Sequence, residues 1–375
     1  MAQSSLPDWI SAISQLAFLL IFLLLFLGVN QRFQIYMWSR DIRAKLVVLE
    51  NMASESRKKT LDFMLKSRAK DPSKLLDKIM DFFLIEPVSI EPTDIIRRMD
   101  HLFTVRRIRF RSEFEKAMPE ADRVIRSRAE TAAEIASALN WIYKVVRHIL
   151  LTGEKTRNWI LIMQLQLIMP QILRIAEAYR RALNDFIKGV PIGDSAGPIV
   201  ALRLAGEAKW KYIEDETVVA ETNIENRRVY VIKADGPGSS VGRPGAATEK
   251  LIEELVEKGE KPSLIITVDA ALKMEGEETG SVAEGVGAAI GDPGPEKIRF
   301  ERISAKYGIP LRAVIVKMGL EEAIKAMDKK IYEGSLKAVD RVLELIKNET
   351  KPGDIVVVIG VGNTIGVGQE GEHHG

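Results

Sequence analysis

Residues 354–363 read DIVVVIGVGN, a run of β-branched residues that ends in two glycines and an asparagine. A short, continuous apolar run of this kind is typical of a buried strand in a parallel sheet. Ligands of such sheets bind beyond the carboxyl ends of the strands. The stretch therefore predicts a buried strand whose carboxyl end, just before Asn363, lies where such a sheet binds ligands.

Strand-like runs alternate with helical patterns through the rest of the C-terminal half. The strand-like runs are residues 217–224, 227–234, 263–268, 287–290 and 312–318, and the helical patterns are residues 246–258, 296–307 and 320–347. This alternation predicts a C-terminal α/β domain, residues 190–375, with a mostly parallel sheet flanked by helices.

Two acids are candidates for a functional site at this sheet. Asp269 ends the apolar run SLIITVD, at the carboxyl end of a predicted strand. Asp194 lies in PIGDSAGPIV (191–200), just before the helix that Gly197 and Pro198 start. There its carboxylate either caps that helix, which would contribute about 1 kcal/mol, or belongs to a site. For each acid, a structural role and a role in a site are the two interpretations.

A glycine-rich segment, ADGPGSSVGRPG (234–245), follows one predicted strand and precedes a helix. Its amides could cradle a phosphate, which makes Gly238 and Arg243 candidate ligand-binding residues. It lacks the Lys-Ser/Thr pair of a P-loop, and a lid or a plain loop is the alternative. The later segment IGVGNTIGVG is followed by no helix, which disfavours a nicotinamide site.

The region before the α/β domain, residues 32–189, has helical patterns nearly throughout. Residues 120–150 and 156–188 are long periodic stretches joined by LLTGEKT, which predicts an αα-hairpin. An arginine-rich run, residues 97–128, is interleaved with apolar residues. This favours a helix with one buried and one solvated face, and contact with anionic lipid headgroups is the alternative.

The N-terminal segment, residues 1–31, predicts a transmembrane helix. Residues 9–31 carry no charge, and a helix of that length can cross a hydrocarbon core of about 30 Å. A cleaved signal peptide would need basic residues before the apolar run, where only Asp8 is charged. The cations follow the run instead, at Arg32, Arg40, Arg43 and Lys45. The positive-inside rule then places the N-terminus outside and the C-terminal domain in the cytoplasm, as a single-pass protein of the cell membrane.

A second apolar stretch, NWILIMQLQLIMPQI (158–172), is shorter and contains three glutamines and a proline. Runs of that length favour a buried helix or a contact between subunits of a homo-oligomer over a second span. Residues 1–188 carry 30 Lys and Arg against 21 Asp and Glu, whereas residues 189–375 carry 24 against 31. The basic half adjoins the anchor, so lipid headgroups are expected partners and nucleic acid is disfavoured.

The cysteine and histidine content also excludes or disfavours several kinds of site. The 375-residue chain contains no cysteine, which excludes disulfides, thiolate catalysis and cysteine-ligated metals. His373 and His374 lie in the terminal tail EGEHHG, where a disordered tail is a better interpretation than a metal site.

The segment IGDSAGPIVALRL resembles the acid-bearing segment of the spore germination proteases and the hydrogenase maturation endopeptidases. LIITVDAAL resembles the second acid-bearing strand of the germination proteases, and GDPGPEKIRFERISAKYGIPLRAVIV resembles their Pro-Gly loop, helix and following strand. The resemblance implies their phosphorylase/hydrolase-like fold, with Asp194 and Asp269 as an aspartic-type pair. The other candidate ligand-binding residues in these segments are Gly193, Gly197, Asp292 and Gly294.

The chain departs from that family in the order of its segments. The family begins its domain with a strand ending in Gly-x-Gly-Asn, and the comparable stretch here, residues 356–363, comes last. A circular permutation would bring Asn363 beside Asp194, so the resemblance also implies Asn363 as a candidate ligand-binding residue. The hydrogenase enzymes hold a metal with carboxylates and a histidine, but no histidine lies between His148 and His373 here. We therefore expect no cofactor, with Mg²⁺ between the two carboxylates as the alternative.

The order of anchor, helical region and α/β domain also resembles an archaeal family of membrane proteins that is known only as uncharacterised. Three functions stay open at this point. The first is a membrane-anchored peptidase or other hydrolase that uses the two acids. The second is a non-catalytic, membrane-tethered oligomeric scaffold or ligand-binding protein. The third is a phosphate- or nucleotide-binding module that uses residues 235–245.

Overall fold

The computed structural model describes residues 13–19, 29–85, 94–291 and 294–369. The chain forms two compact units, one made of Met1–Glu55 and Ala138–Glu177, the other of Ser56–Ser137 and Ala178–Gly375. These units do not follow the chain order of the predicted domains, whose boundaries stay predictions. Residues 13–19 are helical, and the rest of the predicted anchor's apolar core, residues 20–28, lies outside the described residues.

Within the described residues, five helices of nine residues or more precede the α/β fold. They are α1 (Val29–Lys66), α2 (Pro72–Met80), α3 (Ile95–Ala117), α4 (Arg123–Thr156) and α5 (Trp159–Lys188). By length and composition, α5 is the one helix among the described residues that could cross a membrane. Its classification as a non-spanning helix stays a prediction.

The predicted connection at residues 150–156 is wrong in one respect, because α4 continues through it to Thr156. Gly153 lies inside the helix, where an added Cβ would come within 2.6 Å of Cδ1 of Ile162. Gly153 therefore allows close packing of α4 against α5, whereas the sequence analysis interpreted it as part of a loop. The chain turns at Arg157, in the left-handed region, and the Asn158 side chain accepts the Leu161 amide at the start of α5.

In the first unit, α1, α4 and α5 bury apolar side chains along their length. Examples are Ile42, Leu49, Val146, Leu150, Ile162 and Leu165. Polar contacts tie α1 to the other helices of this unit. The Arg43 guanidinium pairs with Glu154, and the Gln166 amide donates to Asp41 over 2.6 Å.

In the second unit, the arginines of α3 are largely engaged by acids of the protein. Arg107 and Arg111 pair with Asp215 at 3.2 and 3.0 Å, and Arg106 pairs with Glu134 at 2.7 Å. The apolar face carries Phe110 and Phe114, which are buried with residues of α2 and α4. One face is buried as predicted, but much of the polar face contacts carboxylates instead of solvent.

The α/β fold contains seven strands and five further helices. The strands are β1 (Trp210–Glu214), β2 (Thr217–Ile224), β3 (Arg227–Ala234), β4 (Leu264–Leu272), β5 (Val282–Val286), β6 (Leu311–Met318) and β7 (Ile355–Gly360). The helices are α6 (Ala196–Ala205), α7 (Pro244–Glu257), α8 (Pro295–Tyr307), α9 (Leu320–Ile324) and α10 (Lys329–Glu349).

The sheet has the order β1-β2-β3-β7-β4-β6-β5 and is mixed. Its centre is parallel, since β7 pairs with β3 and β4, and β4 pairs with β6. Its edges are antiparallel, since β1, β2 and β3 form consecutive hairpins and β5 runs against β6. The predicted mostly parallel sheet is therefore corrected to a mixed sheet, because tight turns such as the one at Glu216 close hairpins at one edge.

Two details of the strand prediction are also corrected. Residues 287–290 form no strand, and the neighbouring residues 282–286 form edge strand β5 instead. The amphipathic segment WKYIE forms β1, which the sequence analysis did not predict.

Strand β7 lies in the middle of the sheet and all six of its residues are buried. Val356 and Val358 pack with α6 and α10 on one face, in a cluster that includes Val200 and Val342. Val357 and Ile359 pack on the other face with residues of α7 and α8. Because successive side chains alternate between faces, one six-residue strand contributes to both hydrophobic layers.

Lys233, at the end of β3, is fully buried. Its ammonium donates to the Ala234 carbonyl over 3.2 Å and lies 5.0 Å from the centre of the Trp210 ring. Burial lowers the pKa of Lys233 to about 8, although the nearby Asp235 opposes the shift. A buried cation with so few partners costs stability.

We expect Lys233→Met to stabilise the protein at pH 7 by about 1–3 kcal/mol, because it removes a desolvated charge while keeping an unbranched apolar stem. The lysine titrates near 8 when folded and near 10.5 when unfolded, so the parent gains stability as pH rises between these values. The advantage of the variant should shrink between pH 7 and pH 10 in thermal unfolding. Exposed Lys261→Met is the control, and an equal gain there would contradict the explanation.

Candidate functional site

The turn after β7 brings Asn363 against Asp194. The Val361 amide extends the ladder by donating to the Val268 carbonyl of β4 over 2.8 Å. Two residues later, the Asn363 amide donates to Oδ2 of Asp194 over 2.9 Å. The last strand of the fold and the segment before α6, which are about 170 residues apart in sequence, therefore meet at one carboxylate.

The close approach of these segments depends on glycines. An added Cβ at Gly197 would overlap the Val361 carbonyl oxygen and lie 2.5 Å from that of Val268. Gly362 has φ of 129°, and a side chain there would overlap the Asp194 carbonyl oxygen. Glycine at both positions lets the first turn of α6 lie directly on the ends of β7 and β4.

Asp194 does not cap α6. A 3₁₀ turn, Gly193–Ser195, precedes the helix, and the N-cap residue is Ser195, with no side-chain hydrogen bond to the helix amides. The Asp194 carboxylate turns to Asn363 instead. The capping interpretation, the simpler one for this sequence, is therefore wrong.

Asp269 lies at the carboxyl end of β4 and is only 5% exposed. Its carboxylate accepts the Ala270 amide over 2.7 Å and also the Gly291 amide from the loop after β5. That loop is fixed beside the strand, because the Ala289 amide donates to the buried Thr267 hydroxyl. The second acid is therefore held by backbone donors on a rigid strand.

The two carboxyls interact electrostatically. Burial raises the pKa of Asp269 well above its ordinary value, and the negative charge of Asp194 raises it further, against the two amides. Burial among protein atoms also raises the pKa of Asp194, against the Asn363 amide, although this side chain keeps partial exposure to solvent. Ionisation of one acid therefore disfavours ionisation of the other.

Other predicted ligand-binding residues have different surroundings. Gly193 lies against α9, where its amide donates to the Lys325 carbonyl and an added Cβ would overlap the Glu322 carbonyl oxygen. Gly294 precedes the first turn of α8. Asp292 lies outside the described residues. Of the predicted set, the structure therefore brings Gly193, Gly197 and Asn363 next to Asp194.

The glycine-rich segment does not present a free phosphate cradle at α7. The amides of Gly245 and Ala246 donate to Oε2 of Glu296 over 2.7 and 3.0 Å, so a carboxylate of the protein already occupies the helix N-terminus. The Arg243 guanidinium pairs with both oxygens of Asp100 at 2.8 and 3.1 Å. Gly238 lies instead against Ser127 of α4.

Two hydroxyl residues near Asn363 escaped the sequence analysis. The Ser239 hydroxyl accepts from the Asn363 side-chain amide over 3.1 Å. The fully buried Thr364 hydroxyl lies 2.9–3.1 Å from the carbonyl oxygens of Asp235, Gly238 and Ser240. Their only sequence signal is their place beside glycines, which many loop residues share.

Among the described residues, no cluster of three or more His, Cys, Asp and Glu side chains has the arrangement of a metal site. Mg²⁺ at the pair would have two carboxylates as its charged ligands. Proteins usually bind Mg²⁺ with one or two carboxylates, and water or substrate oxygens complete the coordination. Mg²⁺ therefore stays an alternative for this site.

The fold and the site define an α/β protein in which a buried and a half-buried carboxyl interact near the carboxyl ends of the central strands. The chain matches both domains of one sequence family of unknown function, DUF1512. The N-terminal domain of the family matches residues 16–189, and its C-terminal domain matches residues 192–368. The chain belongs to the DUF1512 family. No similar protein was found among the curated proteins.

We expect Gly197→Ala to destabilise the protein by about 2 kcal/mol or more, because the new methyl group meets two rigid backbone carbonyls. Unfolding of the full chain in denaturant measures the effect. Gly285→Ala is the matched control, since a Cβ at that position meets no atom within 4 Å. Equal stability of the two variants would show that α6 does not depend on this contact.

Proposed function

We propose that the protein is a membrane-anchored hydrolase, specifically a peptidase, that uses Asp194 and Asp269 as an acid–base pair. The observation that carries the proposal is the electrostatic interaction of a buried carboxyl, Asp269, with a half-buried one, Asp194, near the strand ends where α/β proteins bind ligands. Structural carboxylates of this burial normally have a cationic partner. Here the donors to both acids are backbone amides.

The proposed mechanism assigns different roles to the two acids. Asp194, which is partly exposed and accepts the Asn363 amide, is the carboxylate that takes a proton from the attacking water. Asp269, whose pKa is raised by burial and by its neighbour, is the acid that donates its proton to the leaving nitrogen as the C–N bond breaks. A proton then passes from Asp194 to Asp269 to restore the starting state.

The resemblance to the germination proteases supports peptide substrates. The two acids of that family's pattern are the two that are coupled here, and the strand that stands first in that family lies here beside the first acid. Likeness of fold does not confer function, so the activity is proposed from the site. The proposal includes that the protein is archaeal.

An oligomeric scaffold is the second candidate. One observation favours it: the part of α5 in the first unit exposes Ile160, Leu167 and Ile168. Exposed apolar residues that recur at helical spacing are typical of contacts with lipid or with another subunit. The phosphate-binding alternative is weaker, because Glu296 occupies the amides that would hold the anion.

We expect Asp194→Asn and Asp269→Asn to lower hydrolysis by at least about 100-fold, since each removes one proton-transfer group. The full chain is assayed for cleavage of casein and for self-cleavage. Asp340→Asn, on the exposed face of α10, is the matched control. Activity that is equal in the parent and both site variants would rule out the pair, and a parent without activity that forms stable oligomers would favour the scaffold.

Loss of activity in Asp269→Asn should not come from unfolding. The folded pKa of Asp269 is raised, so the parent loses stability as pH rises from the unfolded value through the folded one. An asparagine does not titrate and still accepts the Ala270 amide. The variant should therefore be more stable than the parent at pH 7, and this advantage should disappear near pH 4 in thermal unfolding.

We also propose that residues 9–31 anchor the protein in the cell membrane as a single span, with the N-terminus outside and the α/β domain in the cytoplasm. Anionic headgroups near the anchor are the proposed lipid partners, and homo-oligomers form through the helical region. A chain that begins at Ser39 should then remain in the supernatant when cell membranes are sedimented. Sedimentation of that shorter chain with the membranes would instead assign membrane contact to α5 or to the basic helices.

A further inference from the structure

The side chain of Asn363 is fixed on both sides. Its Oδ1 accepts the Ile365 amide over 2.9 Å, which closes a tight local turn. Its Nδ2 donates to the Ser239 hydroxyl over 3.1 Å. Because the backbone amide of the same residue donates to Asp194, the orientation of this side chain determines the direction of that amide.

Ser239 belongs to a loop that is joined to the turn after β7. The Thr364 hydroxyl lies within hydrogen-bond distance of three carbonyls of this loop, and the Thr364 amide donates to the Ser240 carbonyl over 2.9 Å. Gly236 packs so closely that an added Cβ would overlap the Val367 carbonyl oxygen. The loop and the turn therefore move as one block.

Helix α4 contacts this block through one face. The Thr131 hydroxyl donates to the Ser239 hydroxyl over 2.9 Å, with the Ser127 carbonyl as a second acceptor at 3.2 Å, and Cβ and Oγ of Ser127 lie against Gly238. One turn earlier, Arg123 pairs with Asp235 at the start of the loop. The Arg128 guanidinium fills the space beside Gly189, just before the segment that carries Asp194.

We propose that Thr131 and Ser239 are positioning residues for Asp194, which they reach through Asn363. Thr131 orients the Ser239 hydroxyl, Ser239 holds the Asn363 side chain, and the Asn363 amide is thereby aimed at Oδ2 of Asp194. Helix α4 thus regulates the acid pair: its position on the loop sets how strongly the charged form of Asp194 is stabilised.

This inference rests on the proposed function for its catalytic consequence, but the positioning can be measured without catalysis. The Asn363 amide lowers the pKa of Asp194, against the effect of burial. The charged and titratable groups around this path include Asp269 beside Asp194, Arg128 beside Gly189, and, at the loop, the Arg123–Asp235 pair with Glu216 and Tyr212. Removing a hydroxyl from Thr131 or Ser239 leaves all of these charges in place.

The test uses the full chain with ¹³C-labelled aspartate carboxyl carbons, assigned with Asp194→Asn and titrated by NMR. Thr131→Val keeps the side-chain volume and removes the donor to Ser239, and Ser239→Ala removes the acceptor of Asn363. Both should move the titration midpoint of Asp194 to higher pH, with the larger shift for Ser239→Ala. Thr131→Val carries the test by itself if Ser239→Ala does not fold.

Two controls separate positioning from general destabilisation. Thr131→Ser keeps the hydroxyl and should restore the parent midpoint. Thr156→Val removes a hydroxyl of the same helix that donates only to the Thr152 carbonyl, and it should leave the midpoint unchanged. An unchanged Asp194 midpoint in Thr131→Val and in Ser239→Ala would overturn the proposal.

Kinetics distinguish this proposal from the proposed function. Thr131→Val should lower kcat about 3- to 10-fold near the acid limb of the pH profile, with KM little changed, because part of a hydrogen bond to a charged group is lost. A shifted midpoint in a protein without hydrolytic activity would support the positioning and reject the peptidase. Loss of hydrolysis in the aspartate variants with an unmoved midpoint in Thr131→Val would support the peptidase and reject the positioning.

Discussion

The pairing of β7 with β3 on one side and β4 on the other is the constraint on which the α/β fold depends. Both hydrophobic layers use side chains of this strand, so neither layer is complete without it. The same pairing continues past the strand into the bond between the Val361 amide and the Val268 carbonyl. That bond directs the chain toward Asp194, so the geometry of the candidate site follows from the register of the sheet.

The site places two groups of like charge where water is scarce. Such an arrangement opposes folding, because burial and mutual repulsion both disfavour ionisation. The protein offsets the cost with backbone amides from Asn363, Ala270 and Gly291, which favour the charged forms without bringing a counter-ion into the site. A lysine or arginine would have stabilised the charged acids more, but it would have lowered the pKa of both and favoured two carboxylates.

Much of the α/β fold follows from local sequence signals. Most of the wrong or missing predictions concern residues whose conformation depends on contacts with residues far away in the sequence. The β-branched runs of β2, β3, β4, β6 and β7 were predicted, because buried strands need such residues. The edge strand β1 was missed since it is only five residues long and its side chains do not alternate between buried and exposed. Asp194 could be placed near a site only through a resemblance, because its partner Asn363 lies about 170 residues away. The role of Glu296 at the start of α7 has no local signal at all.

The central place of β7 also determines when the fold can form during synthesis. Strands β3 and β4 are made before β7, but they pair with β7 and not with each other, so about 80 residues separate β4 from the strand that fills the gap. Until that strand leaves the ribosome, both neighbours present open edges to the chaperones and to each other. Because Asn363 follows directly after β7, a chain interrupted at any earlier point has neither a closed sheet nor an assembled acid pair. Any activity of the pair is thereby restricted to molecules whose synthesis has passed this point.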